Sequence, residues 1–154
     1  AAPGGKTAVL AASGAHVTAV DAHPARAKAL EATLRRLGVE ADVVAADGRT
    51  YHGGPFDRIL IDAPCSGLGV LAGRPDARWR RTPEDSEELA VLQAELVRHA
   101  QTLLAPAGEL HFAVCTLNPD ENEAIAPAAG LVAHDELRTW PDEGDDGFYA
   151  ARLA

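Results

Sequence analysis

The chain has 154 residues, 47% of them hydrophobic, a formal net charge of −9 and only two cysteines. That length suits one domain with a real core, and no apolar run approaches the roughly 20 residues that a membrane-spanning helix needs. Two cysteines without scaffold spacing exclude a disulfide-stapled secreted fold and point to a reducing cytoplasm, while the acidic balance gives no chain-wide footprint for nucleic acid.

Short apolar runs alternate with helical patterns, the mark of βαβ units and a mostly parallel sheet in an α/β fold. The chain opens on Ala1-Ala2-Pro3-Gly4-Gly5-Lys6-Thr7, a glycine turn of the kind that follows a strand, and it holds no Met. It therefore reads as the continuation of a longer protein. The expected upstream strand would lie between the strands that end at Asp21 and Asp62. A short helix is expected over 7–12, a strand over 16–20 ending at Asp21, and a helix from Pro24. Ala27, Leu30, Leu34 and Leu37 recur there at steps of three and four, and Gly38 stops the pattern. A strand over 42–46 ends at Asp47, and a continuous buried strand over 56–61 ends at Asp62.

Residues 67–81 read as a Gly/Arg/Pro loop in which Arg74, Arg78, Arg80 and Arg81 surround Trp79. Thr82 then has the features of a helix N-cap, with Pro83 at the first position and Asp85 three residues on. Leu89, Leu92, Leu96 and Leu103 form the expected apolar stripe, closed by Gly108. A strand follows over 109–114, then a helix from 121 to 126 cut by Pro127. Residues 131–137 and 147–153 are expected to pair antiparallel at one edge. Acidic residues concentrate at 84–95 and 142–146.

The chemistry-bearing residues sit at the ends of these strands, where open α/β sheets bind ligands. Three strands end in Asp21, Asp47 and Asp62. An acid after the second strand can accept hydrogen bonds from a ribose diol, and one strand further along an acid can meet an adenine amino group. Asp also favours such turns for local reasons. The run at 3–7 lacks the spacing of a phosphate loop; its glycines let backbone approach a flat or zwitterionic ligand, beside the charge of Lys6. Cys65 and Cys115 each follow an apolar run, within Asp62-Ala63-Pro64-Cys65-Ser66-Gly67 and Val114-Cys115-Thr116-Leu117-Asn118-Pro119. They are either small core residues or nucleophiles. The Pro, Ser, Gly and Asn around them belong to loops.

These blocks, together with 73–81, Asp120-Glu121-Asn122-Glu123 and 146–153, resemble the RNA cytosine-5 methyltransferases of the Sun/NOL1/NOP2 family, of the bacterial 16S rRNA type. The likeness runs the length of the chain. Val114 stands where that family usually has Thr, and the cysteine usual before the opening Ala-Ala-Pro lies outside the chain. The resemblance implies a Rossmann-like class I methyltransferase fold over 1–154. It also implies S-adenosylmethionine, held by Ala1, Ala2, Pro3, Gly4, Gly5, Lys6, Asp21, Asp47 and Asp62. It gives Cys115 as nucleophile, Cys65 as the residue that assists product release, Asp62 as the group at the cytosine ring nitrogen, and Lys6 as a charge favouring the thiolate. Arg74, Arg78, Arg80 and Arg81 become RNA contacts, and Trp79 either stacks on a base or turns into the core. The expected partner is RNA, ribosomal RNA above all, met by a cytoplasmic monomer with no metal and no membrane contact. A tRNA enzyme and a catalytically idle RNA-binding assembly factor are the competing readings.

Overall fold

The computed structural model describes residues 1–141 and 144–154; Asp142 and Glu143, part of the second acidic stretch, lie outside them. The chain forms two compact units, Ala1–His52 and Gly53–Ala154.

In the first unit, α1 (Gly5–Ala12), β1 (Thr18–Asp21), α2 (Pro24–Leu37) and β2 (Asp42–Ala45) follow one another. The strands pair in parallel, with Thr18 opposite Asp42 and Asp21 opposite Ala45. Leu30 and Leu34 of α2 bury themselves against Ala19, with Ala2, Ala8 and Val43 packed around them. Ala27, Leu30 and Leu34 are the buried part of the stripe that the three-and-four spacing predicts, while Leu37 at its end is 49% exposed. Gly4 precedes α1 at φ 112°, and a β-carbon there would lie 2.5 Å from Leu30 Cδ1. Only glycine satisfies both the left-handed backbone and the close approach.

The second unit holds β3 (Phe56–Asp62), α3 (Ala77–Arg80), α4 (Pro83–Gln101), β4 (Leu104–Val114), a 3-10 turn (Pro119–Glu121), α5 (Ile125–Ala128), β5 (Ala133–Thr139) and β6 (Phe148–Leu153). The sheet order is β3-β4-β6-β5. β3 and β4 are parallel, while β6 runs antiparallel to both β4 and β5. The expected antiparallel pair is therefore present, with β5 at the edge. Phe112, Leu110, Val114, Val97, Ile125 and Tyr149 form the core, each 1% exposed or less.

Four local expectations change. β3 is not a buried strand: its residues are half-buried or exposed, because it is an edge strand with β4 as its hydrogen-bonded neighbour. β4 starts at Leu104 and runs through Gly108, so that glycine does not close the preceding helix. Helix α4 turns Ser86, Gln93, Ala94, Val97 and Ala100 inward, and leaves Leu89, Leu92 and Leu96 half-buried. The expected helix at 121–126 is a 3-10 turn followed by α5, which carries Pro127 in its first turn, where a missing N–H costs nothing. The capping box at Thr82 and Asp85 forms as expected.

Candidate active site

β3 and β4 lie side by side in parallel, with Asp62 opposite Ala113. The ladder extends one step further, as the Ala63 N–H donates to the Ala113 carbonyl at 3.0 Å. The two strands therefore release their loops together, and each loop carries a cysteine. The sulfur atoms of Cys65 and Cys115 are 3.4 Å apart, and both cysteines are half-buried and outside any disulfide. That separation is a hydrogen-bonding contact, well beyond the roughly 2.05 Å of a disulfide. The hydrogen bond to Cys115, reinforced by burial and by the charge of a neighbouring thiolate, pushes the Cys65 thiol well above the ordinary thiol range. Cys65 thus keeps its proton and can donate it toward the Cys115 sulfur.

The loops are anchored from behind. The Glu121 side chain is fully buried and accepts the Ser66 N–H at 2.7 Å on Oε2. Gln93, also fully buried, donates from Nε2 to the same oxygen at 3.2 Å and to the Pro64 carbonyl at 2.8 Å. Cys65 sits between those two held backbone groups. Ser66 and Thr116 share a hydroxyl–hydroxyl bond of 2.7 Å that ties one cysteine loop to the other. The Gly69 N–H donates to the Cys115 carbonyl at 3.1 Å, and the Gly147 N–H to the Gly69 carbonyl at 2.7 Å. A β-carbon on Gly69 would collide with the Gly147 carbonyl, so the backbones meet only without one. Sequence reasoning missed Gln93 and Glu121. The available signals were a polar residue on the inward face of α4 and an acid inside the Asn118–Asn122 block.

Asp62 is exposed at the end of β3, in the same turn as Cys65. Arg74, Arg78, Arg80 and Arg81 are all exposed. Arg80 pairs with Asp76 at 3.4 Å, and Arg81 Nε donates to the Ser66 carbonyl at 3.2 Å. Trp79 is 85% exposed, which removes the core-facing alternative.

In the first unit, Asp21 ends β1 and is 4% exposed. Its Oδ2 accepts the Ala1 amine at 3.1 Å and the Ala2 N–H at 3.0 Å, and its Oδ1 accepts the His23 N–H at 3.1 Å. Arg26 approaches to 3.5 Å. Burial opposes the charge on Asp21, but the hydrogen bonds from Ala2 and His23 and the Ala1 charge together outweigh it, holding the pKa at about 2. Asp21 therefore organises the opening turn. Pro3, Gly5 and Lys6 are exposed around that turn, and no side chain caps α1. Asp47 follows β2 and is held by Arg49, whose Nε reaches both carboxylate oxygens at 3.1 Å.

Along most of the chain the sequence agrees with a known family, as residues 1–139 match 16S rRNA methyltransferase RsmB/F. The chain belongs to the RsmB/F family. Ribosomal RNA small subunit methyltransferase B of Vibrio vulnificus is 40% identical over 99% of the chain and 40% of its own length. A putative methyltransferase of Mycobacterium tuberculosis is 41% identical over 99% of the chain and 39% of its own length. The chain thus spans about 40% of the length of these curated relatives. Among solved structures, NSun6 from Pyrococcus horikoshii with SFG superposes with a TM-score of 0.89 at 30% identity, covering 99% of the chain and 45% of that structure. A methyltransferase homologue from the same organism gives a TM-score of 0.83 at 27% identity, covering 99% and 58%. The fold is the Rossmann-like α/β fold of S-adenosylmethionine-dependent methyltransferases. Among the described residues, no group of three or more His, Cys, Asp or Glu is arranged to hold a metal ion, and no helix is long and apolar enough to cross a membrane.

Proposed function

We propose that this protein methylates carbon-5 of a cytosine in RNA, ribosomal RNA above all, through a covalent adduct with Cys115, and that residues 1–154 belong to one methyltransferase domain. The 3.4 Å approach of the Cys65 and Cys115 sulfurs at adjacent strand ends carries this reading. Membership of RsmB/F, and relatives named as small-subunit ribosomal RNA methyltransferases, support the substrate class.

Carbon-5 of cytosine is too weak a nucleophile to take a methyl group unaided. Addition of the Cys115 thiolate to carbon-6 moves the π electrons and makes carbon-5 an enamine carbon. Asp62 is the group to hydrogen-bond the ring nitrogen and stabilise the adduct. After methylation a base removes the carbon-5 proton, the electron pair restores the 5,6 double bond, and Cys115 leaves as a thiolate. Cys65, which keeps its proton, stabilises that departing thiolate by donating its S–H.

S-adenosylmethionine, when bound, supplies an electrophilic methyl group. The donor set fits it. The uncapped start of α1 favours a carboxylate, since the N-terminal end of a helix carries partial positive charge. Residues 1–6 line that turn, with Lys6 in the first turn of the helix. Asp21 is the acceptor for ribose, as a carboxylate oxygen that holds one N–H retains a second lone pair. Asp47 would meet the adenine once Arg49 releases it. Arg74, Arg78, Arg80 and Arg81 offer charge to phosphates, with Trp79 exposed among them for stacking on an unpaired base.

Methyl transfer from labelled S-adenosylmethionine by the full-length protein into ribosomal RNA tests the reading. Label recovered as 5-methylcytosine is the expected result; label in another nucleoside, or in no RNA, overturns it.

A further inference from the structure

We propose that Glu121 and Gln93 are positioning residues that set the approach of the Cys65 and Cys115 thiols. The catalytic meaning of this inference rests on the methyltransferase reading, but its geometry does not. Glu121 is a fully buried carboxylate that the chemistry above leaves without a role. Its bonds go to the loop that carries Cys65: Oε2 holds the Ser66 N–H at 2.7 Å and the Gln93 amide at 3.2 Å. The same Gln93 amide nitrogen holds the Pro64 carbonyl at 2.8 Å. One carboxylate and one amide therefore grip the backbone on both sides of Cys65, which fixes the point from which its thiol projects.

The grip reaches the second cysteine as well. Ser66, held at its N–H by Glu121, bonds through its hydroxyl to Thr116, the residue after Cys115. Glu121 and Asn122 lie in the segment that follows Cys115, and the Asn122 amide donates to the Thr116 carbonyl at 3.4 Å. Both loops are thus fastened to one buried centre contributed by α4 and the 3-10 turn. Burying a carboxylate is costly unless its oxygens are satisfied; here Oε2 takes donors from the Cys65 loop and α4, and Oε1 takes the Asn118 amide at 3.5 Å. Loosening the centre should let the sulfurs drift apart. A displacement of about 1 Å in reacting groups can lower a rate a hundredfold.

The test reads thiol geometry directly. In the full-length protein, diamide should oxidise the two thiols to a Cys65–Cys115 disulfide, taking up the two electrons and two protons released. Cross-linked peptides quantified by mass spectrometry give the rate. Glu121→Ala and Gln93→Ala should slow closure about tenfold or more, whereas Glu121→Gln, which keeps an acceptor for the Ser66 N–H, should stay within about threefold of wild type. A cooperative melt identifies the variants that fold; if Glu121→Ala does not, Gln93→Ala decides alone. In the methylating enzyme, the slowed variants should lose kcat while the cofactor Kd holds, a split that general loosening would not give. Wild-type cross-linking rates in folded Gln93→Ala, or no disulfide in the wild type, overturn the proposal. The expected cross-linking pattern without methylation by any form would leave this inference standing and count against the methyltransferase reading.

Discussion

Cys65 and Cys115, 50 residues apart in the chain, bring their sulfurs to 3.4 Å because β3 and β4 are parallel neighbours that end in register. The hydrogen bond to Cys115, together with burial, pushes the Cys65 thiol well above the ordinary range. Iodoacetamide at about pH 8 should therefore label Cys115 first, since the thiolate is the reactive form. Peptide mapping after brief exposure reads the order. Preferential labelling of Cys65 would reverse the assignment.

The same asymmetry separates the two single substitutions in the full-length enzyme. Cys115→Ala should reduce methylation to background and leave no protein–RNA adduct. Cys65→Ala should still permit attack but slow thiolate departure, so that an adduct dependent on S-adenosylmethionine accumulates and survives denaturing electrophoresis. An adduct trapped by Cys115→Ala instead would exchange the roles.

Asp21 makes the stability of the first unit depend on acid. Its folded pKa of about 2 lies below the ordinary 3.8, so its contribution is complete above the unfolded value and is lost as pH falls through the folded one. The stability gap between wild type and Asp21→Asn, read from urea midpoints, should shrink as pH is lowered from about 4 to about 2. A gap that stays constant would mean that the Asp21 charge does not hold the turn.

Thr82 offers a purely structural test. Its hydroxyl accepts the Asp85 N–H at 3.3 Å, and the Asp85 carboxylate accepts the Thr82 N–H at 2.9 Å. Thr82→Ala should cost about 1 kcal/mol, and Thr82→Ser should recover most of it. Equal denaturant midpoints for all three proteins would show that the capping box adds nothing to α4.

The sequence by itself determined what is local. Leu30 and Leu34 announced the buried face of α2, Thr82 with Asp85 announced the start of α4, and the strand-end acids and cysteines marked where the strands give way to loops. Such features are legible because residues a few positions apart share a helix face or a turn whatever the rest of the chain does. Tertiary structure decided the rest. Among the described strands β3 has β4 as its hydrogen-bonded neighbour, and its apolar run stays half-buried or exposed. Tertiary structure also turned Gln93 inward ahead of the leucines, where its amide meets the Pro64 carbonyl and the buried Glu121 carboxylate. Whether two cysteines 50 residues apart would meet depended on which strands pair and in what register. That information is non-local, and no period in the sequence encodes it.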